Sequence, residues 1–312
     1  MSAVIITTCT NRKQKAAPRV LQARNLKKGS VEDVAKEWVR RLSGANERSF
    51  AAQVYCGRTF VEASLASEVI GAPLYVISAG LGLVGPDDEI PAYDLTTAKS
   101  SKDRIQIKII DPIVDADWWS HLGAAKGDEH PLASLLKAEK NKLAIIGLSS
   151  SYLDLVRDDL CSLSMPQINR LRLVGIRPSV DVPEKLASVV MPYDDRLDGP
   201  DTPNPGTRGD FAQRALHHFC QLISEKDKQR LDQRAHAQMV RTSLKGKRSP
   251  EQISRKAISD DDLIQLVPDL WDRAEGKSSK MLRILRDEEQ IACEQGRFAT
   301  LFKRAKEAHG LA

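Results

Sequence analysis

Cysteine is scarce in this 312-residue chain, and what there is suits neither cross-linking nor metal binding: Cys9, Cys56, Cys161, Cys220 and Cys293 are odd in number and show no CxxC spacing. A disulfide framework and a zinc knuckle are therefore not expected, and reduced thiols are the simplest state. Long apolar runs are missing as well. None approaches the roughly 20 residues that a bilayer span requires, and Met1 to Ile6 is too short for a signal-peptide core, so a cytoplasmic protein without a membrane partner is expected. There is no internal repeat. The GxxxxGK[ST] pattern of a nucleotide-hydrolysing loop is absent, which argues against ATP chemistry; Gly80, Gly82 and Gly85 do have GxGxxG spacing, a weak signal on its own, and a dinucleotide fingerprint is not expected. His217 and His218 are neighbours on a predicted helix and so point apart, which disfavours a shared metal. No metal or cofactor is expected.

What is present is a globular composition with 41% hydrophobic residues, and 47 Lys and Arg against 42 Asp and Glu. The placement of the charge says more than the net of +5. Between Asn11 and Ser30 stand Arg12, Lys13, Lys15, Arg19, Arg24, Lys27 and Lys28 with no acid among them. Between Lys226 and Lys256 ten basic residues face only Asp227, Asp232 and Glu251. Such segments suit a polyanion, because each phosphate neutralised releases condensed counterions. A solvated basic face is the alternative for each.

Hydrophobic patterning gives short β-branched runs alternating with helical periodicity. Strands are predicted at Ala3 to Ile6, Gln53 to Cys56, Pro73 to Ser78, Leu143 to Gly147, Leu171 to Gly175 and Ala187 to Met191, with helices over Val31 to Leu42, Thr59 to Val69, from about Tyr152, and over Asp210 to Ile223. This alternation implies an α/β fold with a mainly parallel central sheet flanked by helices. The first domain is read as 1–223, followed by a basic linker or helix over 224–250. A small helical module over 251–312, with helices near Asp260 to Val267, Lys280 to Leu285 and Glu294 to Ala308, is suited either to nucleic acid or to capping the main domain.

Ligands in parallel sheets bind at the carboxyl ends of the strands, so the polar strings after Ile6, Ser78 and Gly147 are the places to look. The first offers Cys9, Asn11, Arg12 and Lys13: an amide that can read a base edge or orient a water, and cations for phosphate. Cys9 can serve as a nucleophile, but a buried inert thiol is the commoner outcome. At Tyr55, Gly57 and Arg58 a strand turns into a helix whose start favours an anion, with Glu62 one turn on. The string from Ser78 through Gly80 to Asp87, Asp88, Glu89 and Tyr93 reads as a flexible glycine loop delivering adjacent carboxylates, of which one gains basicity from the repulsion. Magnesium binding and a solvated acidic turn are the alternatives there. Ser149, Ser150 and Ser151 open a helix and can hold a phosphate oxygen or simply cap it, and Arg208 sits in a second cap, Gly206 to Asp210.

Taken together, Thr8, Cys9, Thr10, Asn11, Arg12 and Lys13, then Tyr55, Gly57 and Arg58, then Ser78 to Leu83 with Pro86, Asp88 and Tyr93, resemble the family related to the bacterial peroxide-stress protein YaaA. The proline–tyrosine pair of that family is interrupted here as Pro91, Ala92, Tyr93. The resemblance covers about the first hundred residues well and the region to Ile223 more loosely. It implies a uracil-DNA-glycosylase-like fold, and relatives of this kind include phage-defence DNA glycosylases that remove glucosylated cytosines. The expected activity is thus cleavage of the N-glycosidic bond of a modified base in double-stranded DNA, with no metal. Asn11, Asp87 and Asp88 are the expected catalytic residues. Cys9, Tyr55, Gly57, Arg58, Glu62, Ser78, Gly80 and Tyr93 would line the substrate. Arg12, Lys13, Ser149, Ser150, Ser151, Arg208, Lys245, Lys247 and Arg248 would hold nucleic acid. A non-catalytic DNA-binding protein and a base-exchanging transglycosylase are the alternatives. No oligomeric state is implied.

Overall fold

The computed structural model describes residues 3–203, 205–251 and 254–310, which fall into two compact units, Met1–Pro250 and Glu251–Ala312. The first unit is built on a five-stranded sheet. Its strands are β1 (Ala3–Thr8), β2 (Leu74–Ser78), β3 (Gly82–Val84), β4 (Leu143–Gly147) and β5 (Leu171–Val174), in the order β3-β2-β1-β4-β5. Every pairing is parallel except β2 with β3, which is an antiparallel hairpin in the register Val76↔Val84, Ile77↔Leu83 and Ser78↔Gly82. The predicted α/β class with a mostly parallel sheet is present.

All six residues of β1 are buried, as a central strand covered on both faces requires. Period-two alternation sends Val4 and Ile6 to one face and Ala3 and Ile5 to the other. The first face is covered by α1 (Val31–Ser43), by α3 (Asp115–Lys126), which follows α2 (Arg58–Ile70) in the chain, and by α4 (Ser150–Cys161). There Trp38, Trp118, Leu122, Leu153 and Val156 pack with Ile6. The second face is covered by α2 (Arg58–Ile70) and α5 (Phe211–Leu222), whose Ala63, Ala66, Phe211, Ala215 and Phe219 meet Ile5, Ile145 and Val174.

Two expected strands take other forms. Residues 53–56 finish a short helix, Ala51–Val54, and Tyr55 makes a single antiparallel bridge to Lys13. Residues 187–191 end the helix Glu184–Ala187 and touch the sheet edge at one bridge, Leu173↔Val190. Both runs are apolar because they are buried: Val54, Tyr55, Val189 and Met191 all lie in the core. Burial and strand formation give the same signal over four or five residues.

Residues 224–250 belong with the first unit. Their helix α6 (Gln233–Leu244) buries His236, Val240 and Leu244. Arg172, a buried arginine on β5, donates from Nε to His236 Nδ1 at 2.7 Å, and its burial lowers its pKa to about 10. The second unit consists of α7 (Asp260–Asp269), α8 (Ser278–Asp287) and α9 (Gln295–His309) around Leu263, Val267, Met281, Leu285, Phe298 and Leu301. A two-residue parallel ladder, Lys256–Ala257 with Ile291–Ala292, ties its ends. No helix among the described residues is long and apolar enough to cross a membrane.

Candidate functional site

Chain direction in the sheet locates the site. From β1 the chain next enters the sheet at β2 on one side, and from β4 it proceeds to β5 on the other. The carboxyl edge between β1 and β4 is therefore a topological switch point, where connections diverge and leave a crevice. A cleft of about 560 Å³ lies there. Thr8, Cys9, Thr10, Asn11 and Arg12 after β1, Ser149, Ser151 and Tyr152 after β4, Gly57 to Thr59 at α2, Thr96 to Ala98, and Thr207, Gly209, Asp210 and Gln213 at α5 line it.

Three helices of 12 or 13 residues begin at this cleft: α2 after Gly57, α4 after Ser149 and α5 after Asp210. In none of the three does the N-cap side chain close the first turn. The positive ends of three helix dipoles thus meet around one space, an arrangement that favours an anion. Gly57 is required at its position: its φ is +91°, and a Cβ there would lie 3.0 Å from Arg12 Cδ, so the arginine stem packs on the glycine. Asn11 and Arg12 are exposed on the rim.

Among the described residues lining the cleft, Asp210 is the carboxylate. It is 5% exposed. One oxygen accepts from the Thr207 amide and from Arg214 Nε, both at 2.8 Å; the other lies 3.7 Å from Arg58 Nε. Arg58 also stands 3.8 Å from Glu62 and donates to the Pro205 carbonyl, and Glu62 in turn meets His217 Nδ1 at 2.8 Å. Arg58 and Glu62 are thereby brought together as expected, with Arg58 at the cleft and Glu62 buried behind it.

Below the rim, Gln213 donates to the hydroxyls of Thr8 at 2.9 Å and Thr7 at 3.3 Å. Cys9 Sγ lies 2.9 Å from Tyr152 Oη. Burial raises the Tyr152 pKa well above that of an ordinary phenol, so its hydroxyl stays protonated and can donate toward the sulfur. Lys13 does not line the cleft; its ammonium sits 4.3 Å above the Tyr93 ring, and burial lowers its pKa.

The string after β2 behaves differently from expectation. Tyr93 is fully buried and unavailable to stack on an extruded base: its hydroxyl is bonded to Ser78 Oγ at 2.5 Å and to Tyr55 Oη at 2.9 Å. Ser78 Oγ also accepts from the Gly80 and Leu81 amides. The indoles of Trp118 and Trp38 donate to the carbonyls of Ala79 and Gly80 at 2.7 and 2.6 Å. Gly80 is glycine because a Cβ would fall 2.5 Å from the Tyr93 ring. This turn is a pinned structural corner, not a flexible loop. Tyr55, Ser78, Gly80 and Tyr93 act together in it, and none of them lines the cleft.

The acids go elsewhere. After the corner, β3 runs antiparallel to β2, so the chain has already returned beside Val76 when it reaches Val84. Asp87 and Asp88 are exposed near the opposite end of the strand, close enough to bear on Tyr75 electrostatically. Asp88 accepts from the Gly85 amide at 2.7 Å and borders a separate concavity with Lys126. Neither acid lines the cleft with Asn11, so the carboxylate expected there is replaced by Asp210. Among the described residues no group of three or more His, Cys, Asp or Glu side chains can hold a metal ion.

Of the serines, Ser149 and Ser151 line the cleft, while Ser150 and Arg208 line a neighbouring cavity. Lys245, Lys247 and Arg248 follow α6 and do not reach the cleft; Arg248 forms a two-pronged pair with Asp201. Sequence reading missed Tyr152, Thr96, Thr97 and Gln213. Gln213 lies within a predicted helix, three residues past the cap, so its amide was detectable as a first-turn polar group; the threonines carry no motif. No known family model, curated protein or solved structure matches the chain.

Proposed function

We propose that the chain is a DNA glycosylase that hydrolyses the N-glycosidic bond of a modified base in double-stranded DNA, acting in the cytoplasm from a uracil-DNA-glycosylase-like fold. The observation that carries the reading is the convergence of three helix N-termini with Arg12 and Arg58 on a cleft of about 560 Å³ at the switch point of the sheet. That volume admits one nucleotide, and dipoles and guanidinium groups favour its phosphates. The target base must leave the duplex to enter such a cleft.

In the proposed reaction the bond from C1′ to the base nitrogen breaks and its electron pair leaves with the base, which takes up a proton. Water adds to C1′ of the resulting oxocarbenium-like sugar and gives up a proton. Asp210, the cleft carboxylate, is assigned to the developing positive charge. Asn11 is assigned to the base edge or to the water, and Arg12, Ser149 and Ser151 to the phosphates. Incubation with modified phage DNA and with unmodified DNA, followed by alkali treatment, tests this: strand breaks at abasic sites and free modified base are expected from the modified DNA. Absence of free base from every modified substrate overturns it.

One observation favours a second reading, a DNA-binding protein without catalysis. Asp210 is already paired with Arg214 at 2.8 Å, which offsets the negative charge it would offer a sugar cation. On that reading Asp210→Asn binds DNA like the parent and there is no turnover to lose.

A further inference from the structure

A second cavity, of about 550 Å³, adjoins the cleft along the same edge of the sheet and shares Ser149 and Gly209 with it. Its composition differs. Arg177 and Arg208 are balanced by Asp194 and Asp195, and Phe211, Pro178 and Val180 supply apolar wall. The guanidinium of Arg177 lies 4.0 Å over the Phe211 ring and is held by Asp195 and Asp198. Gly175 closes the floor: its φ is +86° and a Cβ would stand 2.4 Å from Ala212 Cα, so the backbone comes as close to α5 as it can.

We propose that this second cavity is a subsite for the nucleobase adjacent to the one in the cleft, so that the ligand is read as at least a dinucleotide. The proposal rests on the nucleic-acid reading above. A wall without net charge disfavours a phosphate and suits a neutral, flat, polar ligand. A guanidinium plane fixed by two carboxylates and an aromatic ring is a stacking platform for a base, and a carboxylate beside it accepts from exocyclic amino or ring N–H groups. The shared wall at Ser149 and Gly209 puts the two spaces one sugar–phosphate step apart in role: backbone and target in the cleft, neighbour in the second cavity.

The test is fluorescence anisotropy or calorimetry on the full chain with dCMP and with the deoxydinucleotides that place each common base on either side of dC. The parent is expected to bind at least one dinucleotide about tenfold more tightly than dCMP, with affinities that spread about tenfold according to the flanking base. Asp195→Asn leaves Arg177 its contacts with Asp198 and Phe211; it is expected to compress that spread to about twofold and leave dCMP binding unchanged. Should its melting curve show that it does not fold, Arg208→Ala decides, with dinucleotide affinity about threefold to tenfold weaker and dCMP unaffected. Dinucleotides bound no better than dCMP, a spread that survives in folded Asp195→Asn, or, where Arg208→Ala decides, an unchanged dinucleotide affinity, overturns the subsite. A parent that releases base from modified DNA but shows no spread removes the subsite and keeps the hydrolase. A spread without any base release does the reverse.

Discussion

The loop after β1 and the loop after β2 leave the sheet side by side, and each carries a conspicuous polar string, yet they meet opposite fates. The first stays at the carboxyl edge, where Cys9, Asn11 and Arg12 line the cleft. The second is pinned by Trp38, Trp118, Ser78 and Tyr93 and turned back along β3. What separates them is not composition but the direction of the next element. A parallel connection leaves polar residues at the ligand edge, whereas a hairpin carries its tail to the other end of the strand. An acid-rich string is therefore no guide to a site until the direction of the following strand is known.

The largest expected effect breaks this comparison directly. Asp210→Asn is expected to lower glycosylase turnover on the order of 100-fold while Asp88→Asn stays within about twofold of the parent; single-turnover base release on the same modified DNA checks both. A large loss at Asp88 would return the second loop to the site. Next, Gly175→Ala forces a Cβ against the α5 backbone at a positive φ and is expected to cost about 2–4 kcal/mol in a denaturant melt. A smaller loss would mean that the edge under the second cavity relaxes around the added methyl.

Burial gives a pH dependence at His218 of α5, a residue that does not line the cleft. His218 sits 2.8 Å from the Tyr193 hydroxyl, and burial pulls its pKa down to about 4. A depressed histidine pKa means that the unfolded chain binds the proton first. The contribution is complete above pH 6.5 and is lost as the pH falls from there to about 4, on the order of 1–3 kcal/mol. Stability measured across that window should slope downward toward acid, and His218→Gln should flatten the slope; an unchanged slope assigns it elsewhere. Smallest is Tyr55→Phe, which removes one hydroxyl from the buried corner and is expected to cost about 1 kcal/mol with base release intact. A change in turnover larger than the change in stability would tie the corner to the cleft.

Much of the frame was legible in one dimension. Buried parallel strands are continuous apolar runs, so Ala3–Thr8, Leu74–Ser78, Leu143–Gly147 and Leu171–Val174 announced themselves; the rule that ligands sit at carboxyl ends singled out Asn11, Arg12 and Ser149 but also the string after Ser78, and Arg58 came from the helix start after Gly57. Helix α3, with Trp118 and Trp119, went unread, and the runs at 53–56 and 187–191 were mistaken for strands because short buried segments look alike whatever their backbone. Local pattern thus determined which segments are buried, which are polar, and that strands and helices alternate, since burial period and turn chemistry act over a few residues. Only tertiary structure decided that Asp210 and Gln213, some two hundred residues from Thr8, complete the cleft, that Tyr93 is walled in, and that Asp87 and Asp88 stand apart. Those outcomes follow from strand direction and long-range packing, which no window of neighbouring residues contains.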